Sequence, residues 1–334
     1  MIERVKASAP ARVCFGGECL DWMINGPSVV GAIDLKTIAL IELLPTIGDN
    51  YIVSVKSLSP LVANTLRYWG QLHWYSDQYL QYVESAVDMV RQHVQNPCSL
   101  AVTIESSVPV KAGVSSSAAV VLATVQAAET LFELEQSVTE IIETSFSVEN
   151  VKLMTGAGRM DFYASGLGGL SYLNCGETPL RREPFNFPEK LGLILVDTQQ
   201  PHETRSFISS KRQRFQNGDP DMRNYADSAE KMVERMRMLL PNYYDNREEV
   251  GFLMTEFHTL LRDRVKCSTP MLEACVATAN VNGALGAKLT GSGMGGCMFA
   301  LVDQERQEEV ELALKKLPVR VYSVSIVNQG VSIM

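Results

Sequence analysis

The 334-residue chain is short of the residues that would mark several common chemistries. It has four histidines (73, 93, 202 and 258), and no two share metal-ligand spacing with each other or with a cysteine. Each reads as a surface or internally satisfied histidine, with His202 near the candidate site described below. Seven cysteines (14, 19, 98, 175, 267, 275 and 297) make an odd number without a CxxC pair. That argues against a zinc site or a disulfide frame and for free thiols in a reducing, cytoplasmic setting. Basic excess is missing as well. Thirty Lys and Arg stand against 38 Asp and Glu, for a net charge of −8. With the two signs interspersed, no nucleic-acid footprint is expected, although a local basic pocket remains open.

No apolar run reaches the 18 or so residues of a membrane span, and the first six residues, Met1 to Lys6, lack an apolar signal core. No repeat and no low-complexity tract occurs. A Gly-x-Ser-x-Gly elbow, a Walker GxxxxGK[ST] loop and the HRD and DFG elements of protein kinases are absent. The glycine-rich run at 291–296 is not a dinucleotide fingerprint, because no acid-ended βαβ unit follows it.

What is present is an ordinary globular composition, long enough for two domains or one large one. Strand-like runs stand at 12–15, 36–42, 51–57 and 99–104. Apolar residues at Tyr79, Tyr82, Val83, Ala86, Met89, Val90 and Val94 predict an amphipathic helix over 78–95. Just before it, Tyr68, Trp69, Trp74 and Tyr75 either flank a purine or pack in the core. A helix is expected over 136–152, a short helix after the glycines at 156 and 158, and a strand near 168–173. The Pro- and charge-rich segment 178–190 is the expected boundary between an N-terminal unit (1–185) and a C-terminal unit (186–334). Beyond it come a buried strand at 191–197, helices over 224–263 and 271–283, a strand–turn–strand unit at 288–301, and a closing helix and strand over 305–328. This order is mixed α+β, without regular βαβ repetition.

Three glycine-rich turns carry the chemistry. The second, Pro109-Val110-Lys111-Ala112-Gly113-Val114-Ser115-Ser116-Ser117-Ala118, joins a strand to a helix. Free N–H groups of a first helical turn, the positive end of the helix dipole and three hydroxyls suit a phosphate, and one hydroxyl can ligate Mg²⁺. The plainer reading is a capped helix. The first turn, Gly16-Gly17-Glu18-Cys19-Leu20-Asp21 after Arg12, carries two carboxylates three residues apart. These suit sugar hydroxyls, or they are a solvated loop. The third, Gly291-Ser292-Gly293-Met294-Gly295-Gly296, allows close backbone approach to a ligand or another loop.

In this order the three turns resemble the signature motifs of the GHMP small-molecule kinases, and the likeness spans most of the chain. Arg12 to Trp22 resembles the sugar-site segment of galactokinase-like members, with Glu18 and Asp21 kept, Cys19 in place of their His and Trp22 in place of their Tyr. Gly158-Arg159-Met160-Asp161-Phe162-Tyr163 is similar to their Gly-Ile-Met-Asp-Gln-Tyr, and Glu149 precedes Asp161 by twelve residues. The segment from Val196 to Thr204 is similar to their Val-Asp-Ser stretch, whereas Ser209 to Arg214 matches their Tyr-Asn-x-Arg-Arg poorly.

The resemblance implies a two-domain α+β fold with the active site in the cleft, and an ATP-dependent kinase using Mg²⁺. It implies Asp161 as catalytic carboxylate, Arg12 as its orienting partner, and Ser117 and Glu149 as Mg²⁺ ligands. Residues 109 and 111–118 would hold ATP; Glu18, Cys19, Asp21, Gly291, Gly293 and Gly295 would hold the acceptor. That acceptor is expected to be a monosaccharide phosphorylated at its anomeric hydroxyl, in a monomer or homodimer. A mevalonate-pathway or homoserine-type kinase is the alternative, and an acidic acceptor would want an added Lys or Arg, which 14–31 do not supply. A non-catalytic sugar and ATP sensor is a further alternative, opposed by Ser117, Glu149 and Asp161.

Overall fold

A computed structural model describes residues 2–45, 51–59, 63–68, 80–94, 96, 98–200 and 204–334, with the side chains of 67, 68 and 204–206 excepted. Trp69, Trp74, Tyr75, Tyr79, His73 and His202 therefore lie outside the described residues, and of Tyr68 only its place in a strand is given.

Two antiparallel strands, β1 (Arg4–Gly16) and β2 (Pro27–Leu44), form the spine of the first sheet. Their register shifts at Pro10/Ala11, where a proline has no N–H to give the ladder. β3 (Ile52–Ser59), β4 (Ala63–Tyr68) and β5 (Ser99–Ser106) extend one side, and β5 runs parallel to β3. On β2 also pairs β6 (Leu170–Asn174), which pairs β7 (Arg181–Phe185). The second sheet has the order β11 (Arg320–Val324), β8 (Leu191–Asp197), β10 (Cys297–Asp303), β9 (Gly286–Leu289). The expected boundary segment 178–190 thus carries β7 of the first sheet before β8 opens the second. The chain returns at its end, where β12 (Ser332–Ile333) pairs with β1.

Helices cover the first sheet on one face: α2 (Gln81–Arg91), α3 (Ser116–Leu131), α4 (Val138–Ser147) and α5 (Met160–Leu167). A short α1 (Leu20–Met23) follows β1. α3 is buried nearly all round, and its alanines at 118, 119, 123, 127 and 128 let it lie close on the sheet. α4 starts at a Ser137–Glu140 capping box and runs on as a π-helical turn, Val148–Lys152, so the helix expected over 136–152 has two parts. The opposite face of the first sheet, through Ala11, Val13 and Phe15, joins a second core with α6 (Thr204–Gln216), α7 (Pro220–Leu239), α8 (Arg247–Leu260), α9 (Pro270–Val281), α10 (Gln307–Leu314) and the second sheet. β1 therefore contributes to both cores, and Arg12 on it lines the cavity between the glycine-rich turns. No helix of the described residues is long and apolar enough to cross a membrane.

Candidate active site

The three glycine-rich turns, up to 280 residues apart in sequence, are laced together by backbone. Arg12 N–H on β1 donates to Val114 O (3.2 Å), and Cys297 N–H on β10 donates to Ala112 O (2.8 Å). Cys14 N–H donates to Thr290 Oγ1 at 3.1 Å. Gly113 (φ +77°) and Gly291 (φ +76°) touch back to back: a Cβ at Gly113 would lie 2.4 Å from Thr290 O, and one at Gly291 would lie 2.3 Å from Gly113 O. Glycine is required at both by conformation and by space.

Between these turns lies a cavity of about 550 Å³. At one end it is lined by Val110, Lys111, Gly113, Ser115, Ser116 and Ser117. Ser115, ahead of α3, takes a left-handed conformation (φ +63°), and its hydroxyl makes no capping bond. That Oγ is buried without a hydrogen-bond partner. The plain capped-helix reading is therefore not what the structure shows: the first turn of α3 has no side-chain cap and opens on the cavity, as an anion site does. Pro109, Ala112, Val114 and Ala118 are buried behind this rim; Ala112 and Val114 tether it through the backbone bonds above.

Glu149, on the π-helical turn, also lines the cavity. Its Oε2 accepts from Thr155 Oγ1 at 3.1 Å. A serine hydroxyl and a carboxylate are the hard oxygen donors that Mg²⁺ takes, and Ser117 and Glu149 border the same space. Among the described residues, no group of three or more His, Cys, Asp and Glu side chains forms a dedicated metal cage. His258 is buried, with Nε2 2.9 Å from Glu273 Oε1 and Nδ1 accepting from Leu289 N–H at 3.3 Å.

Asp161 sits in the first turn of α5, where a negative charge favours the helix dipole. Arg12 Nε and Nη2 both donate to its Oδ1, at 2.9 and 2.6 Å, while Nη1 donates to Gly113 O. Burial works against the Arg12 charge, but Asp161 outweighs it and raises the guanidinium pKa. The pair joins the phosphate rim to the acid.

Asp21 faces Asp161 from α1. Its Oδ1 accepts from Trp22 N–H (2.9 Å) and its Oδ2 from Met160 N–H (3.2 Å). Burial foremost, then the charge of Asp161, push its carboxyl up to about 6, against those two hydrogen bonds. A Cβ at residue 158 would lie 1.6 Å from Asp21 Oδ2, so only glycine admits the carboxylate here.

Glu18 has a different environment. It is 1% exposed and forms a buried ion pair with Lys288, whose Nζ also donates to Cys14 O and Leu289 O at 2.8 Å. Both carboxylates border the cavity, but their partners differ: Asp21 has only backbone donors, while Glu18 already has a lysine. Cys19 borders the cavity in a left-handed conformation (φ 72°), with its Sγ 3.5 Å from Lys211 Nζ. Gly291 and Ser292 border it as well, whereas Gly293 packs on Cys267 O and Gly295 on Gln200 O, away from it.

Sequence reading missed Lys211, Lys288 and Thr155. Lys288 begins the third glycine segment, and Lys211 lies in the basic run 209–214, but neither carries a local signal of what it meets.

Family models for the GHMP kinases N terminal domain and the GHMP kinases C terminal match residues 81–169 and 244–319. The chain is 31% identical to the mevalonate kinase of Pyrococcus abyssi over 317 residues, 93% of this chain and 92% of that protein. The fold is similar to Lactococcus lactis galactokinase complexed with galactose (TM-score 0.84, 19% identity, 98% of this chain and 95% of that one). It is also similar to Methanococcus jannaschii mevalonate kinase (TM-score 0.78, 21% identity, 96% and 98%). With the three turns assembled around one cleft and a relative matched along nearly its whole length, the chain belongs to the GHMP kinase family of small-molecule kinases.

Proposed function

We propose that this kinase transfers the γ-phosphate of Mg–ATP to a hydroxyl of a small polyhydroxylated molecule held between Asp161 and Asp21. The observation that carries this reading is the Arg12–Asp161 pair, set between the uncapped N-terminus of α3 and Asp21.

In this reading the first turn of α3 and the hydroxyls of Ser115 to Ser117 hold the phosphates. Leu80, Tyr82, Val83 and Ile104, at another part of the cavity, supply an apolar wall for the base. Ser117 and Glu149 would hold Mg²⁺, which when bound would supply positive charge against the transferring phosphoryl group. Asp161 aligns the acceptor hydroxyl and takes its proton. Arg12 holds Asp161 in place through Oδ1. Phosphoryl transfer needs little more than this alignment and charge neutralisation, so no protein nucleophile is required.

A monosaccharide is supported by Asp21, whose carboxylate borders the cavity to accept hydroxyl hydrogens. A mevalonate-type acceptor is supported by the identity to mevalonate kinases along 93% of the chain. The test is ADP release from Mg–ATP across neutral sugars, sugar acids and mevalonate. ADP release dependent on one of them supports the reading; ATP binding without turnover on any of them supports the sensor instead.

A further inference from the structure

Deep in the acceptor half of the cavity lies a cation that the reading above does not use. Lys211 on α6 is 1% exposed, yet it is among the residues lining the cavity, with Cys19, Asp21, Trp22 and Ser292. Its Nζ donates to Ser292 O at 2.9 Å, lies 3.5 Å from Cys19 Sγ, and stands 4.7 Å from the centre of the Phe207 ring. These partners are a carbonyl, a thiol and an aromatic face. Among the described residues no carboxylate pairs with it, in contrast to Lys288, which has Glu18. A lysine so buried is rarely left without a counter-charge, because the desolvated ammonium is costly. An ammonium has three N–H donors, and the carbonyl and thiol engage two of them.

We infer that Lys211 is a specificity-determining residue that pairs with a carboxylate on the acceptor, which makes the acceptor a polyhydroxylated acid. Asp21 then receives a hydroxyl hydrogen and Lys211 the acid group. A carboxylate fits better than a phosphate. One cation balances one negative charge, and with Asp21 on the same wall a dianion would meet net repulsion. The added base that an acidic acceptor requires is thus supplied by α6 and not by the loop 14–31. This inference rests on the kinase reading of the site.

The experiment uses the full chain, Mg–ATP and three matched pairs: glucuronate with glucose, galacturonate with galactose, and mevalonate with its triol. Each is measured by ADP release and by calorimetric binding. At least one carboxylate should exceed its neutral partner in kcat/KM by about 10–150-fold, the scale of a hydrogen bond to a charged group. Lys211→Met should bring that ratio close to one, and Lys211→Arg should keep most of it, with the KM for ATP unchanged in both. A ratio between matched acceptors is insensitive to general damage, so a purely structural Lys211 would leave it untouched. Neutral partners equal to or better than the acids, or a ratio that survives Lys211→Met, would overturn the inference while leaving the kinase reading standing. Should no acceptor release ADP, the binding arm decides: a carboxylate preference lost in Lys211→Met upholds Lys211 and counts against the kinase reading alone, and equal or absent binding overturns the inference.

Discussion

Arg12 directs two of its donors to one oxygen of Asp161: Nε and Nη2 both reach Oδ1, and Oδ2 receives neither. The Asp161 side chain is 28% exposed and its partner 3%. The arginine thus fixes the carboxylate through one oxygen, and both residues border the cavity.

Asp161→Asn should therefore keep the fold and nucleotide affinity and lower kcat by about 10²–10⁴, the scale of a positioned acid–base group. Steady-state kinetics and calorimetric ADP binding on the same preparation check this. Turnover near wild type would remove Asp161 from the chemistry.

Ser117→Ala and Glu149→Gln each delete a proposed oxygen ligand, so each should raise the Mg²⁺ concentration at half-maximal activity. A Mg²⁺ titration at saturating nucleotide reads the shift. Unchanged midpoints in both variants would exclude these residues as ligands.

The buried Glu18–Lys288 pair holds the first glycine turn against β9. Lys288→Met strands a carboxylate in the core and should cost about 3–5 kcal/mol. Adding Glu18→Gln should recover most of that loss, since a neutral amide no longer needs the counter-charge. Denaturant melts of the two variants make the comparison. A loss below about 1 kcal/mol for Lys288→Met, on the scale of exposed pairs, would mean the pair contributes little.

Burial raises Asp21 to about 6, which places its titration in an accessible range. Above that pH the group is ionised and accepts a hydroxyl hydrogen; below it the proton occupies the acceptor. kcat/KM for the acceptor should fall about tenfold per pH unit below pH 6. Asp21→Asn should abolish this limb and lower the plateau by roughly 10–150-fold, the worth of a charged hydrogen bond. A limb that persists unchanged in Asp21→Asn would assign it to another group.

Much of the architecture is legible locally. The β5–turn–α3 unit, the strand–turn–strand unit of β9 and β10, and the glycines at 113 and 291 follow from periodicity and from positive-φ demands. Other elements are less so. The π-helical turn at 148–152 shares the apolar pattern of the α-helix before it, and β7 lies within a stretch whose prolines and charges suggest a linker. β12 is two residues long and is a strand only because β1 offers it an edge.

The division of labour is sharpest at the first turn. Sequence alone pointed to glycine-dependent turns bearing acids or hydroxyls at 16–21, 109–118 and 291–296, because those conformational demands are local. It could not separate Glu18 from Asp21, two carboxylates on one turn. Only the tertiary structure did so, by bringing Lys288 to Glu18 across 270 residues and Lys211 to Cys19 across 192. Coulombic and desolvation energies depend on distance and burial in space, and local periodicity carries no record of either.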